Sequence, residues 1–75
     1  MDQKTLRDLE YQRFNMNNQA NSLLNENNFE KSAEFYEKCE KISQLLVQIG
    51  RDNEKKNVKK FREKINESLS KADQK

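Results

Sequence analysis

Apolar side chains recur along this chain in three runs, separated by two short polar connections. In the first run, Leu6, Leu9, Met16, Ala20 and Leu23 succeed one another at intervals of three, four or seven residues, with Phe14 and Leu24 beside them. That spacing predicts one apolar face of a helix over about 4–25. Arg13 interrupts the face, and the polar side is rich in asparagine and glutamine, which are mediocre helix formers or worse. The second run predicts a helix over about 28–49. Phe29, Ala33 and Tyr36 form one stripe, and Phe35, Cys39, Ile42, Leu46 and Ile49 form an adjacent one. Leu45 and Val47 widen the apolar sector towards the end of this helix. A face this wide needs a neighbour on each side, so the second helix is expected to be central. The third run, Val58, Phe61, Ile65, Leu69 and Ala72, has spacings of 3, 4, 4 and 3 and predicts a helix over about 53–73.

The connections carry their own signals. In the first, Asn27 is a candidate N-cap, and Glu30 three residues later would complete a capping box. Asparagine here would also tolerate the left-handed turn that ends a helix. In the second, Gly50 would supply the stop and Asp52 could cap the third helix. Short connections place neighbouring helices antiparallel. The expected fold is therefore all-α, a single domain spanning 1–75, built as an up-down-up three-helix bundle.

Composition agrees with long helices: the 75 residues include no proline and one glycine. With 32% hydrophobic and 37% charged residues, only the ordering of the apolar positions argues against disorder. The net charge of +2 is unevenly spread. Residues 1–28 and 29–50 each carry three basic and four acidic side chains, whereas residues 51–75 carry nine and five. The last third is thus mildly basic, but no aromatic or glycine pattern accompanies it. A solvated helix face is the favoured reading over a nucleic-acid surface.

Chemistry is sparse. There is no histidine, and the single cysteine, Cys39, cannot form an internal disulfide. A reducing intracellular setting is expected. Zinc ligation and the common nucleophile–base arrangements lack their residues, so neither catalysis, a metal nor a cofactor is expected. No apolar run approaches the ~20 residues of a membrane span, and no signal-peptide core opens the chain. The remaining class is protein binding, with Leu45 and Val47 as candidates for an exposed apolar edge.

Two resemblances extend this reading. Residues 20–42, ANSLLNENNFEKSAEFYEKCEKI, resemble a tetratricopeptide helix pair. Ala20 stands at its small crossing position, Phe29 at its opening aromatic, and Ser32, Tyr36 and Cys39 come in small–aromatic–small order. The chain from about Leu6 also resembles the MIT (microtubule interacting and trafficking) domain of ESCRT-associated AAA ATPases. In NNFEKSAEFYEKCEKI, Phe29, Ser32, Tyr36 and Cys39 occupy the positions of that family's tyrosine, alanine, tyrosine and alanine. FREKINESLSKADQK is similar to its closing stretch, with Phe61-Arg62 as the hydrophobic–Arg pair and Leu69, Ala72 and Asp73 near the end.

The MIT resemblance implies binding of short helical motifs from ESCRT-III C-terminal tails, between the second and third helices. By position, Leu69 would be the groove leucine, Ala72 a small floor residue and Asp73 the acidic partner of the peptide's arginine. Phe61 and Ile65 would add apolar lining, with Leu45 at the edge. Ser68 stands where the family often has an aromatic, which implies a shallower groove. An extended, proline-containing motif between the first and third helices is the family's other mode. The resemblance also implies cytoplasmic residence, with recruitment to endosomal or division-site membranes through the partner. The alternative function is a tetratricopeptide-like or weakly self-associating helical scaffold. Leu69 and Ala72 also continue the apolar stripe of the third helix, so a purely packing role stands beside the binding one.

Overall fold

The computed structural model describes residues 3–74 as three α-helices: α1 (Gln3–Asn25), α2 (Phe29–Gln48) and α3 (Lys55–Asp73). A single 3-10 turn, Asp52–Glu54, leads into α3, and no strand occurs among the described residues. The last position of the closing stretch, Lys75, lies outside the described residues. The molecule measures 44 × 18 × 13 Å. Its length is close to the ~35 Å of a 23-residue helix, as expected for helices lying side by side.

Both connections end a helix in the same way. Asn27 has φ 66° and Gly50 has φ 103°. The amide of Asn28 donates to the Leu23 carbonyl at 2.9 Å, and that of Asn27 to Leu24 at 3.1 Å. Arg51 donates to Leu46 at 2.9 Å, and Gly50 to Val47 at 3.1 Å. These are paired Schellman bonds that satisfy the last carbonyls of α1 and α2. Asn27 therefore closes α1 and does not cap α2. Asn28 holds the N-cap position, without a side-chain cap bond. Asp52 likewise caps nothing, because the chain enters α3 through the 3-10 turn, with Glu54 as its flanking residue.

The main packing seams are α1–α2 and α2–α3, which makes α2 the central helix. Its buried residues are Ser32, Ala33, Tyr36, Cys39, Ser43 and Leu46. Leaving Ala33 aside, their spacing is 4, 3, 4 and 3, a heptad seam. Two of its seats, Ser32 and Ser43, hold residues that the hydrophobic pattern does not count. Ile42 and Val47 are only partly buried, and Leu45 and Ile49 are each 37% exposed. The same exchange occurs on α3, where Phe61, Ile65 and Ser68 are buried and Leu69 is 44% exposed.

Small seats let α1 approach α2 closely. Ala20 is fully buried, and the Ser32 hydroxyl donates to its carbonyl at 2.8 Å. Ala20, Tyr36, Cys39, Phe61 and Ile65 form the core cluster, with Met16 and Phe35 packed against it. The Tyr36 and Phe61 rings lie 6.4 Å apart at 32°. The Tyr36 hydroxyl donates to Asn21 Oδ1, tying α2 to α1.

Two of the serine seats are not polar contacts at all. The hydroxyls of Ser43 and Ser68 are buried with no hydrogen-bond partner. A buried unpaired hydroxyl costs ~1–3 kcal/mol and serine is a poorer helix former than alanine. Ser43→Ala and Ser68→Ala should each raise stability by about 1 kcal/mol. Urea unfolding measures this, and a loss of stability in both variants would refute the assignment.

Candidate functional site

The face of α2 towards α3 carries a line of three hollows. At the start of α2, Phe29, Glu30 and Ala72 line one of about 210 Å³. In the middle, Glu37, Glu40, Lys41, Arg62, Ile65 and Asn66 line one of about 440 Å³. At the far end, Gln44, Val47, Gln48, Lys55 and Val58 line one of about 330 Å³. The lining residues of α2 fall at 29, 30, 37, 40, 41, 44, 47 and 48, which is one broad helical face. Those of α3 run through Val58, Arg62, Ile65 and Ala72. Leu69, four residues after Ile65 and three before Ala72, falls on that same stripe.

The expected site residues separate into groups. Leu69 is exposed and Ala72 partly so; Ala72 lines the first hollow, and Leu69 lines none of the three but lies on the helical stripe of those that do. Asp73 is exposed beside Ala72 at its end. Ile65 is 9% exposed and forms floor. Phe61 is 1% exposed; it supports the floor from the core side and offers a peptide no surface. Leu45 lines none of the three hollows. It sits one residue, about 100° of helix, off the lining stripe. Ser68 is fully buried and takes a core seat instead of a groove position.

Pattern reading misses an ion pair that spans the middle hollow. Arg62 Nε lies 3.1 Å from Glu40 Oε2, and Nη2 lies 3.5 Å from Oε1. The Glu40 side chain is 14% exposed and that of Arg62 is 67% exposed. The guanidinium thus caps a largely buried carboxylate from the solvent side. A further hollow of about 420 Å³, lined by Leu23, Lys31 and Phe35 among others, lies in the α1–α2 seam. The α2–α3 hollows, by contrast, succeed one another along one groove.

Cys39 is fully buried, and its thiol donates to the Arg13 carbonyl at 3.6 Å. Burial pushes its pKa up to about 11, against a smaller opposing effect of the Arg13 charge. The folded protein therefore keeps the thiol protonated where the unfolded chain, at 9.0, has lost the proton. Stability should be intact below pH 9 and fall as pH rises from 9 to 11, by on the order of 2 kcal/mol. Burial chiefly, with the Glu67 and Cys39 charges, also raises Tyr36 from 10.0 and adds to the fall above pH 10. Urea midpoints across this range measure it; Cys39→Ala, less stable at neutral pH, should show a shallower decline.

Among the described residues, no helix is long and apolar enough to cross a membrane. Compared with known proteins, the chain matches no family model, no curated protein and no solved structure.

Proposed function

We propose that this protein is a non-enzymatic interaction module. In this reading it is an antiparallel, up-down-up three-helix bundle of the MIT type. It holds a short helical motif, of the kind carried by ESCRT-III C-terminal tails, in the α2–α3 groove. Its setting would be cytoplasmic membrane remodelling or trafficking. The antiparallel order draws support from the pairings: Ser32 meets Ala20 and Cys39 meets Arg13, while Phe29 meets Ala72 and Val47 meets Val58.

One observation carries the binding reading: Leu69 is 44% exposed, at helical spacing from Ile65 and Ala72, which line the groove. A large apolar side chain at the lip of a groove is the anchor that helix-in-groove recognition requires. Leucines of the peptide would pack on Leu69, Ala72 and the Val47–Val58 hollow, and Asp73 at the rim would meet a basic side chain. Burial would supply affinity, while the rim charge would set register.

Titration of labelled ESCRT-III-type tail peptides, monitored by amide chemical shifts, tests this. Shifts should cluster along Glu30–Gln48 and Lys55–Asp73. Leu69→Ala should weaken binding about tenfold, a loss of ~1.4 kcal/mol, and change stability by less than about 1 kcal/mol. No shifts at millimolar peptide would overturn the proposal, and shifts confined to α1 and α3 would move it to the other groove. Exposed Leu45 and Ile49, outside this groove, favour weak self-association as a second reading. Sedimentation that does not change with concentration would remove it.

A further inference from the structure

α2 carries a second seam, none of whose members lines the hollows towards α3. Phe35, Lys38, Ile42, Leu45 and Ile49 follow one another at 3, 4, 3 and 4 residues, the spacing of a second helical stripe. Phe35 and Ile42 are partly buried, while Leu45 and Ile49 are each 37% exposed. One end of the stripe thus projects two aliphatic side chains. The other end is recessed: Lys31 and Phe35, with Leu23 of α1, line the hollow of about 420 Å³ in the α1–α2 seam. Phe35 and Ile49 lie fourteen residues apart, about 21 Å along α2, with Ile42 midway. A face that projects at one end and is recessed at the other is complementary to itself about a two-fold axis.

Charge favours the same arrangement. Cys39 meets Arg13 and Glu40 meets Arg62, so a plane across the bundle at that level divides it into two ends. The end holding residues 3–13 and 40–62 carries ten basic and five acidic side chains. The end holding residues 14–39 and 63–74 carries four basic and seven acidic ones. Two copies lying side by side in parallel would set like ends together. Antiparallel copies set each basic end beside an acidic one, which is also the direction that brings Leu45 and Ile49 to the Leu23–Phe35 hollow.

We infer that the outer face of α2 binds a second copy of this chain, antiparallel, about a two-fold axis near Ile42. This rests on the self-association reading and adds to it the face, the direction and the stoichiometry. Leu45 and Ile49 of each copy seat against Leu23 and Phe35 of the other, and the two Ile42 side chains meet at the axis. Lys38 stands within the stripe, its ammonium 5.0 Å from the centroid of the Phe35 ring. A charge on such a seam costs stability. The strip is about 21 Å long and one helix, ~10 Å, wide, so it buries less than the ~800 Å² per partner of a standard interface. The dimer is therefore weak, with a Kd on the order of 100 µM, and the α2–α3 groove of each copy stays open.

Sedimentation equilibrium of the full chain at up to millimolar concentration tests the inference. Association should stop at the dimer, because a two-fold contact closes on itself. Lys38→Leu should tighten the dimer about tenfold. Leu45→Glu should abolish it, and Leu69→Ser, on the α3 groove stripe, should leave it unchanged, with circular dichroism checking that each variant is folded. Should Leu45→Glu fail to fold, Lys38→Leu and a direct reading of direction decide. For direction, Glu34→Cys carrying a spin label is mixed with isotope-labelled wild-type chain, the buried Cys39 thiol staying unmodified. The label should broaden the Gln48 and Ile49 amides of the wild-type copy. Broadening at Glu34 instead, a dimer indifferent to Lys38→Leu and Leu45→Glu, or growth beyond the dimer would overturn the antiparallel α2 contact and leave self-association standing. A chain that stays monomeric at millimolar concentration would overturn both.

Discussion

Replacing Tyr36 with alanine should cost about 4 kcal/mol, the range for deleting a buried aromatic side chain. For a chain of this length total stability is expected to be only ~4–11 kcal/mol, so the variant should lose a third or more of it. Tyr36 is the largest fully buried side chain and has no exposed surface. It sits where all three helices meet: its ring faces Phe61 of α3 and its hydroxyl reaches Asn21 of α1. The other fully buried seats are one phenylalanine, one leucine, a cysteine, an alanine and three serines. Tyr36→Phe keeps the ring and loses only the hydroxyl bond, so it should cost about 1 kcal/mol. Urea unfolding monitored by circular dichroism compares the two. A loss below 1 kcal/mol for the alanine variant would mean that the helices are held together elsewhere.

The serines explain why the helices are legible in the sequence while some of their seats are not. Periodicity places α1, α2 and α3 to within two residues at every end, because a wrong period would scatter the apolar positions around each helix. It then fills the seats by hydrophobicity. On α2 that puts Ile42 and Ile49 in the stripe, whereas the buried seats run Ser32, Tyr36, Cys39, Ser43 and Leu46. The spacing of 4, 3, 4 and 3 is present in the chain. It becomes visible only if serine counts as a residue that can be buried when helices approach closely, as the Ser32–Ala20 bond shows them to do. Counting it also removes Leu69 from the core stripe of α3, since Phe61, Ile65 and Ser68 already complete that face.

The same exchange decides how much of the candidate groove can be read. Resemblance groups Leu69, Ala72 and Asp73; of these Leu69 and Asp73 are exposed, and Ala72 lines a hollow of the groove. Phe61 joins them in the sequence pattern because a stripe at helical spacing does not say which members face a neighbour and which face a groove. Leu45 looks surplus to packing, and it is exposed, but on a different side of α2. The Glu40–Arg62 pair leaves no trace in the pattern, because partners 22 residues apart are joined only by the way α2 and α3 align.

Arg13 is the other warning in the sequence, a charge set into an apolar face, and its partner is the source of the last prediction. Arg13 Nε lies 2.9 Å from Glu54 Oε1, with side chains 20% and 5% exposed. The N–H is not aligned for a hydrogen bond, so the contact is chiefly one of charge. Asn57 Nδ2 donates to the other carboxylate oxygen. The pair fastens the middle of α1 to the turn that opens α3. Arg13→Ala strands a carboxylate with almost no access to water and should cost about 3 kcal/mol. Glu54→Ala strands a guanidinium that can still reach solvent and should cost less, about 2 kcal/mol. Replacing both by leucine removes both desolvation penalties, so the double variant should be more stable than either single alanine variant. High salt should barely change these differences, because the pair is mostly buried. The outer Arg51–Glu10 contact, at 3.7 Å and with side chains 46% and 39% exposed, should lose its small contribution under the same conditions. Additive losses across a cycle of the two single alanine variants and their double alanine variant would show that Arg13 and Glu54 act separately.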